Sequence, residues 1–280
     1  MSRNYLLLLL GLFALVACIN TTPWERRHHA DTLAVAHSWQ VMRLPTEKFV
    51  LVAYVPESIS QADVLSVYIE GDGLAWLSRS QASSDPTPRN PVGLELALRH
   101  PSGEAVYLAR PCQFVEEKDA RNCRQLYWTG GRFASEVIES SDQAISILKQ
   151  RFGAKKLVLI GYSGGGAVAA LVAARRDDVV RLITVAGNLD HQAWTERQHI
   201  LPLSESLNPA DEWMGLTDVP QLHFVGERDG VIGREIADSY ASRFPEGRRP
   251  RVVLVPDFDH VCCWAERWDK LLLEQLDTGN

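Results

Sequence analysis

Hydrophobic positions along this chain come in short blocks separated by longer polar and mixed stretches. Runs rich in Val, Leu and Ile recur at Phe49–Val55, Val64–Ile69, Ala105–Ala109, Lys156–Ile160, Val179–Ala186, Leu222–Val225 and Arg251–Val255. Runs that stay apolar, without polar alternation, suit strands buried on both faces. Helical spacing appears between them: Phe133, Val137, Ile138, Ala144, Ile145 and Leu148 mark one face, and Gly153 supplies a stop. Gly164–Arg176 reads as a buried Gly- and Ala-rich helix, and Trp264, Trp268, Leu271 and Leu272 as the core stripe of a last helix. This strand–helix alternation predicts an α/β domain over residues 37–280, a mainly parallel sheet of about eight strands with helices on both faces. Two turn-rich stretches interrupt it, Arg79–Pro91 and Asn188–Val219. Both leave carboxyl ends of strands, where ligands sit in such sheets, so both are candidates to wall a pocket. Trp76, Trp194 and Trp213 are candidates to line it.

The first residues follow a different pattern. Arg3 precedes an almost unbroken apolar run from Tyr5 to Val16, shorter than the ~20 residues that span a bilayer. Residues 1–17 therefore read as an export signal. Leu15-Val16-Ala17-Cys18 has the form of a lipobox, which makes Cys18 the expected acylation site and a membrane a partner through that anchor. Several acyl chains on one residue anchor stably where a single one does not. Ile19 is not the aspartate that retains such proteins in the inner membrane, so an outer-membrane position facing the periplasm follows for a two-membrane host. Residues 18–36 read as a tether. The composition, 46% apolar and 23% charged with a formal charge of −6, is that of an ordinary globular domain and shows no basic stripe for a nucleic acid. Arg26-Arg27-His28-His29 reads as solvated surface.

In an exported, oxidising setting, Cys112, Cys123, Cys262 and Cys263 are candidates for disulfides. A bond between neighbours closes an eight-membered ring, which disfavours Cys262–Cys263. Cys112 and Cys123 lie across a polar loop and close easily; a bond from one of them to the later pair is the alternative. No CxxC spacing suggests a metal, and no motif calls for a cofactor.

The chemistry concentrates in Gly161-Tyr162-Ser163-Gly164-Gly165. G-x-S-x-G is a weak pattern alone. Here a predicted strand runs straight into it and an Ala-rich helix leaves it, the context of a nucleophile elbow. A serine hydroxyl needs a base, and the base needs a partner to orient it. Asp229 lies in the turn Gly226-Glu227-Arg228-Asp229-Gly230 after one late strand, and His260 in Asp257-Phe258-Asp259-His260 after the next. With these residues the sequence resembles the α/β-hydrolase superfamily, and within it exported bacterial lipoprotein serine hydrolases, over roughly residues 37–275. The resemblance implies an α/β-hydrolase fold. It implies Ser163 as nucleophile, His260 as general base and Asp229 as the acid, with Asp190 as a rival place for that acid. It also implies oxyanion-binding amides from Gly164 and from the loop Glu70-Gly71-Asp72-Gly73. There Asp72 matches the donor position, and Glu70 stands where the family often has histidine. A carboxylate facing an oxyanion repels it, so the Asp72 side chain is expected to turn away, with Gly73 as donor if it does not. The implied partner is a small-molecule ester; a thioester, an amide or a non-catalytic binding scaffold are the alternatives on the same fold.

Overall fold

The computed structural model describes residues 21–58 and 60–277. The residues read above as an export signal, and Cys18, lie outside the described residues. Eight strands form one sheet: β1 (Trp39–Pro45), β2 (Val50–Pro56), β3 (Val64–Ile69), β4 (Glu104–Leu108), β5 (Lys156–Tyr162), β6 (Val179–Val185), β7 (Gln221–Gly226) and β8 (Arg251–Val255). Their order is β1-β2-β4-β3-β5-β6-β7-β8. β1 pairs antiparallel with β2, and β2 antiparallel with β4; every other neighbouring pair is parallel. The helices are α1 (Pro23–Ala36), α2 (Val92–Leu98), α3 (Ser135–Arg151), α4 (Gly164–Ala173), α5 (His191–Gln198), α6 (Arg234–Ala241) and α7 (Trp264–Asp277).

The helices divide into two layers because the central strands bury both faces. Leu65, Val67, Ile69, Leu157 and Leu159 face a core shared with α3, α4 and α6. Tyr68, Ile160, Tyr162 and Phe224 face the opposite core, shared with α1, α2 and α7. All ten residues of α4 are buried, which accounts for their Gly/Ala/Val/Leu composition. In α7, Trp264, Trp268, Leu271 and Leu272 are buried as their spacing implies, and the Trp268 indole donates to the Tyr68 hydroxyl at 2.7 Å.

At four points the structure departs from the sequence reading. Residues 23–36 are not a tether but a helix packed on β1 and α2, with Ala30 and Ala34 buried. Thr22 and Glu25 form a reciprocal capping box, and Pro23 opens the first turn. Arg26, taken as solvated, is 5% exposed; it donates to the Thr21 carbonyl at 2.6 Å and to Asp85 at 3.2 Å. β1 is a strand that the runs of apolar residues do not reveal, because Gln40 and Arg43, exposed on opposite faces of this edge strand, break the run. Finally, Cys262 is joined to Cys263, the pairing that ring size argued against, while Cys112 is joined to Cys123 with Cα atoms 5.6 Å apart.

Candidate active site

The elbow follows from the meeting of β5 and α4. Ser163 sits between them at φ 51°, ψ −122°, a conformation L-residues rarely adopt and one that lifts its hydroxyl out of the chain. The turn is tight enough that a Cβ on Gly161 would overlap the Gly165 carbonyl, and one on Gly165 would overlap that of Ile69. The Ser163 amide donates to Val185 at 2.9 Å, and its carbonyl accepts from Gly166 at 2.9 Å and Asn188 at 3.0 Å. The backbone is thus pinned on both sides.

β7 and β8, side by side and parallel, deliver the other two groups. His260 Nε2 lies 3.0 Å from Ser163 Oγ, and His260 Nδ1 lies 2.9 Å from Asp229 Oδ2. The Asp229 side chain is fully buried, and its other oxygen accepts the amides of Val231 and Ile232, each at 2.8 Å. Its carboxylate is therefore fixed before it meets the histidine. The loop carrying His260 is held by Asp259, whose Oδ1 accepts from Val261 and Cys262, and by the Tyr162 hydroxyl, which donates to the His260 carbonyl at 3.0 Å. Asp190, the rival acid, is occupied elsewhere. It caps α5 through Ala193 at 3.2 Å and accepts from Asn208 at 3.2 Å and Ser239 at 2.7 Å.

The loop after β3 passes directly over the elbow. Glu70 is buried, with Oε1 accepting from Gly71 at 2.9 Å and Gly93 at 3.1 Å and Oε2 from the Tyr107 hydroxyl at 3.1 Å. Burial pushes its carboxyl up to about 7 against these hydrogen bonds. Gly73 turns the chain at φ 64°, where a side chain would also strike the Pro86 carbonyl and the Gln113 amide. The Asp72 carboxylate does not turn away to solvent. It lies against Gly164, where it occupies the place of a Cβ, and it is paired with Arg110 (3.2 Å) and with Arg132. Burial works against its charge, but the Arg132 and Arg110 guanidinium groups outweigh burial and hold the carboxyl below the usual range. The amides of Asp72 and Gly164 make no hydrogen bond among the described residues. Neither arginine is marked by a motif. Arg110, a charge directly after an apolar strand at its carboxyl end, was the available signal; Arg132 had none.

The two insertions brace these loops. Trp194 Nε1 on α5 donates to the Val231 carbonyl at 2.9 Å, and Gln198 donates to Gly230 and Val231. Asp85, in the earlier insertion, receives Arg26 of α1. Trp76 is exposed, and Trp213 packs on Phe244 in the core. His223 is a core residue, as its strand position implies; burial pushes its pKa down to about 3. Two surface clefts, one around Lys48 and Glu136 and one around Trp24 and Tyr54, include none of Ser163, Asp229 and His260 in their linings. Among the described residues, no group of three or more His, Cys, Asp or Glu is arranged to hold a metal ion.

No protein-family model matches the sequence, and no curated protein does. The folded chain, in contrast, is similar to several solved structures. An esterase from Pyrococcus furiosus superposes with a TM-score of 0.60 at 15% identity, covering 92% of this chain and 96% of that one. A putative dienelactone hydrolase from Klebsiella pneumoniae gives 0.58 at 16%, covering 85% and 95%. An α/β serine hydrolase without a lid from Xanthomonas campestris gives 0.56 at 16%, covering 86% and 94%. At these identities the likeness is one of fold, and the fold is that of the α/β-hydrolases.

Proposed function

We propose that the protein is a serine hydrolase that cleaves a carboxylic ester through an acyl-enzyme, with Ser163, His260 and Asp229 as its triad. The observation that carries this reading is the unbroken line from Ser163 Oγ through His260 to a fully buried carboxylate, starting at a serine held at positive φ. His260 Nε2 takes the hydroxyl proton as Ser163 Oγ bonds to the carbonyl carbon, and the carbonyl π pair moves to oxygen. Asp229 accepts from Nδ1–H and stabilises the imidazolium. The Asp72 and Gly164 amides, which make no hydrogen bond among the described residues, receive the oxyanion; one such donor is worth about 3–4 kcal/mol. The imidazolium then protonates the leaving alcohol as its C–O bond breaks. Water, deprotonated by the same histidine, attacks the acyl carbon; the acyl–Oγ bond breaks, the imidazolium returns its proton to Ser163 Oγ, and the acid leaves.

The neighbours named as esterases and as a dienelactone hydrolase support the ester among the bonds this apparatus cleaves. Export and acylation at Cys18, read from the leader, give an enzyme tethered in the cell envelope. The test uses a fluorophosphonate probe and a series of p-nitrophenyl esters of different chain length. Wild type is expected to be labelled and to turn over at least one ester, and Ser163→Ala to do neither. A labelled Ser163→Ala protein, or equal turnover by both, overturns the reading.

A further inference from the structure

We infer that Arg110 and Arg132 are positioning residues of this site: by clamping the Asp72 carboxylate they allow an acidic residue to supply an oxyanion-binding amide. The inference rests on the serine-hydrolase reading above and concerns how the oxyanion loop is made to work.

An aspartate is a poor choice at the point where negative charge develops. An unpaired carboxylate about 5 Å from an oxyanion, at an effective dielectric near 20, slows the reaction on the order of a hundredfold. Solvent does not relieve this here, because the Asp72 side chain is only 19% exposed and lies against Gly164. Two guanidinium groups, with side chains 5% and 6% exposed, take up its two oxygens separately: Arg110 Nη1 pairs with Oδ1 at 3.2 Å and Arg132 Nη1 with Oδ2. The cluster of two cations and one anion carries a net positive charge beside the elbow, opposite in sign to the carboxylate alone.

The clamp is built from the same segments that hold the loop. Arg110 follows β4, and its Nη2 donates to the Arg132 carbonyl, so the two arginines are tied to each other. Arg132 Nε donates to the Thr129 carbonyl at 2.7 Å. Gln113, three residues past Arg110, accepts the Arg110 amide at 3.1 Å and donates to the Gly71 carbonyl at 2.9 Å. The guanidinium groups stack over Phe133 and Trp194 at 5.2 and 5.8 Å. Each arginine therefore uses the fork geometry of its head group, one nitrogen on the carboxylate and another on a backbone carbonyl, which a lysine point charge does not reproduce. The arrangement also explains why Gly164 has no side chain: the Asp72 carboxylate occupies the space. An ion cluster that served stability alone has no reason to sit on a loop next to the serine whose Asp72 amide makes no hydrogen bond among the described residues.

Removal of the cation, alone and together with the carboxylate, tests this. Wild type, Ser163→Ala, Arg132→Gln and the double variant Asp72→Asn/Arg132→Gln are assayed on one p-nitrophenyl ester. Active sites are titrated by fluorophosphonate so that kcat is expressed per competent serine. Arg132→Gln is expected to lose about 30-fold in kcat with KM within about threefold, since the effect falls on the transition state. The double variant, which removes the carboxylate along with its partner, is expected to regain about tenfold of that loss. If Arg132→Gln does not accumulate as folded protein, Arg110→Gln and Asp72→Asn/Arg110→Gln give the same comparison. An arginine variant with a lower melting temperature but unchanged kcat per titrated site, or a double variant no faster than the single, overturns the clamp and leaves the hydrolase reading standing. Absence of Ser163-dependent turnover in the wild type overturns both.

Discussion

Replacing Asp229 by Asn probes the proposed triad with the least disturbance, and the structure dictates which way the new amide faces. Asp229 Oδ1 accepts two backbone amides, from Val231 and Ile232, both at 2.8 Å. In the variant, only the carboxamide oxygen satisfies them, so the NH2 group is turned toward His260 Nδ1, 2.9 Å from the original Oδ2. An NH2 there requires Nδ1 to be the acceptor, which moves the ring proton to Nε2. Nε2 faces Ser163 Oγ at 3.0 Å and, once protonated, no longer accepts its proton. The charge that stabilised the imidazolium is lost as well. In serine proteases such a tautomer reversal costs about 10⁴ in kcat, or about 5 kcal/mol of barrier. Asp229→Ala is a worse probe, because it also strands the buried Ile232 amide at about 1–3 kcal/mol of stability. The assay is kcat and KM for Asp229→Asn on a p-nitrophenyl ester, with folding checked by circular dichroism and Asp190→Asn as the comparison. Asp190→Asn is expected to lower the melting temperature, through its contacts with Ala193, Asn208 and Ser239, and to spare kcat. Retention of more than a tenth of wild-type kcat by Asp229→Asn, or an inactive Asp190→Asn beside it, would refute the assignment.

Other expectations concern stability and processing. Glu70 binds a proton more tightly in the folded state than in the unfolded chain, because burial raises it from 4.5 to about 7. Its contribution is thus fully present below pH 4.5 and is lost as pH rises through 7, about 3 kcal/mol in all. Denaturant titrations should show this loss in wild type and not in Glu70→Gln, whose oxygen still accepts from Gly71 and Gly93 while its NH2 donates to the Tyr107 oxygen; parallel pH profiles would count against it. Ala30→Leu should overpack the seat of α1 by about 1–3 kcal/mol and lower the melting temperature by roughly 3–10 °C, whereas a free tether would show no change. Non-reducing peptide mapping should recover Cys112 linked to Cys123, a closure worth about 3 kcal/mol in the chain-entropy model; free thiols at both positions would contradict it. Metabolic labelling with a palmitate analogue should mark wild type and not Cys18→Ser, and equal labelling would dismiss acylation at that residue.

What could be read from the sequence was what is local or periodic. Buried parallel strands announce themselves because neither face needs polar residues, so Val64–Ile69 and Lys156–Ile160 are visible as runs and set the elbow at their end. The edge strand Trp39–Pro45 is invisible by the same logic, since exposed polar residues on both of its faces break the run. The helix at 23–36 carries a readable Thr22–Glu25 capping box, but its buried side is made of alanines and an arginine, so no apolar stripe marks it. That Ser163, Asp229 and His260 would be candidates, and would come together, was legible because strand, turn and chain order constrain where each falls.

The loop after β3, proposed to bind the oxyanion, shows where such reading stops. Asp72 alone looks like a departure that weakens the site, and a sequence argument can only ask its side chain to leave. What changes its meaning is a pair of arginines 38 and 60 residues away, brought to it by the carboxyl end of β4 and by the loop before α3. No spacing rule connects those positions, because the connection runs through the sheet: β4 lies beside β3, so the residue that follows one strand meets the loop that follows the other. The order of strands, not the order of residues, therefore decides whether this carboxylate stands unpaired beside the elbow or is clamped by two arginines, as the proposal requires. A search for further members of this architecture would accordingly do better to look for an acid after β3 together with an arginine after β4 than for either residue alone.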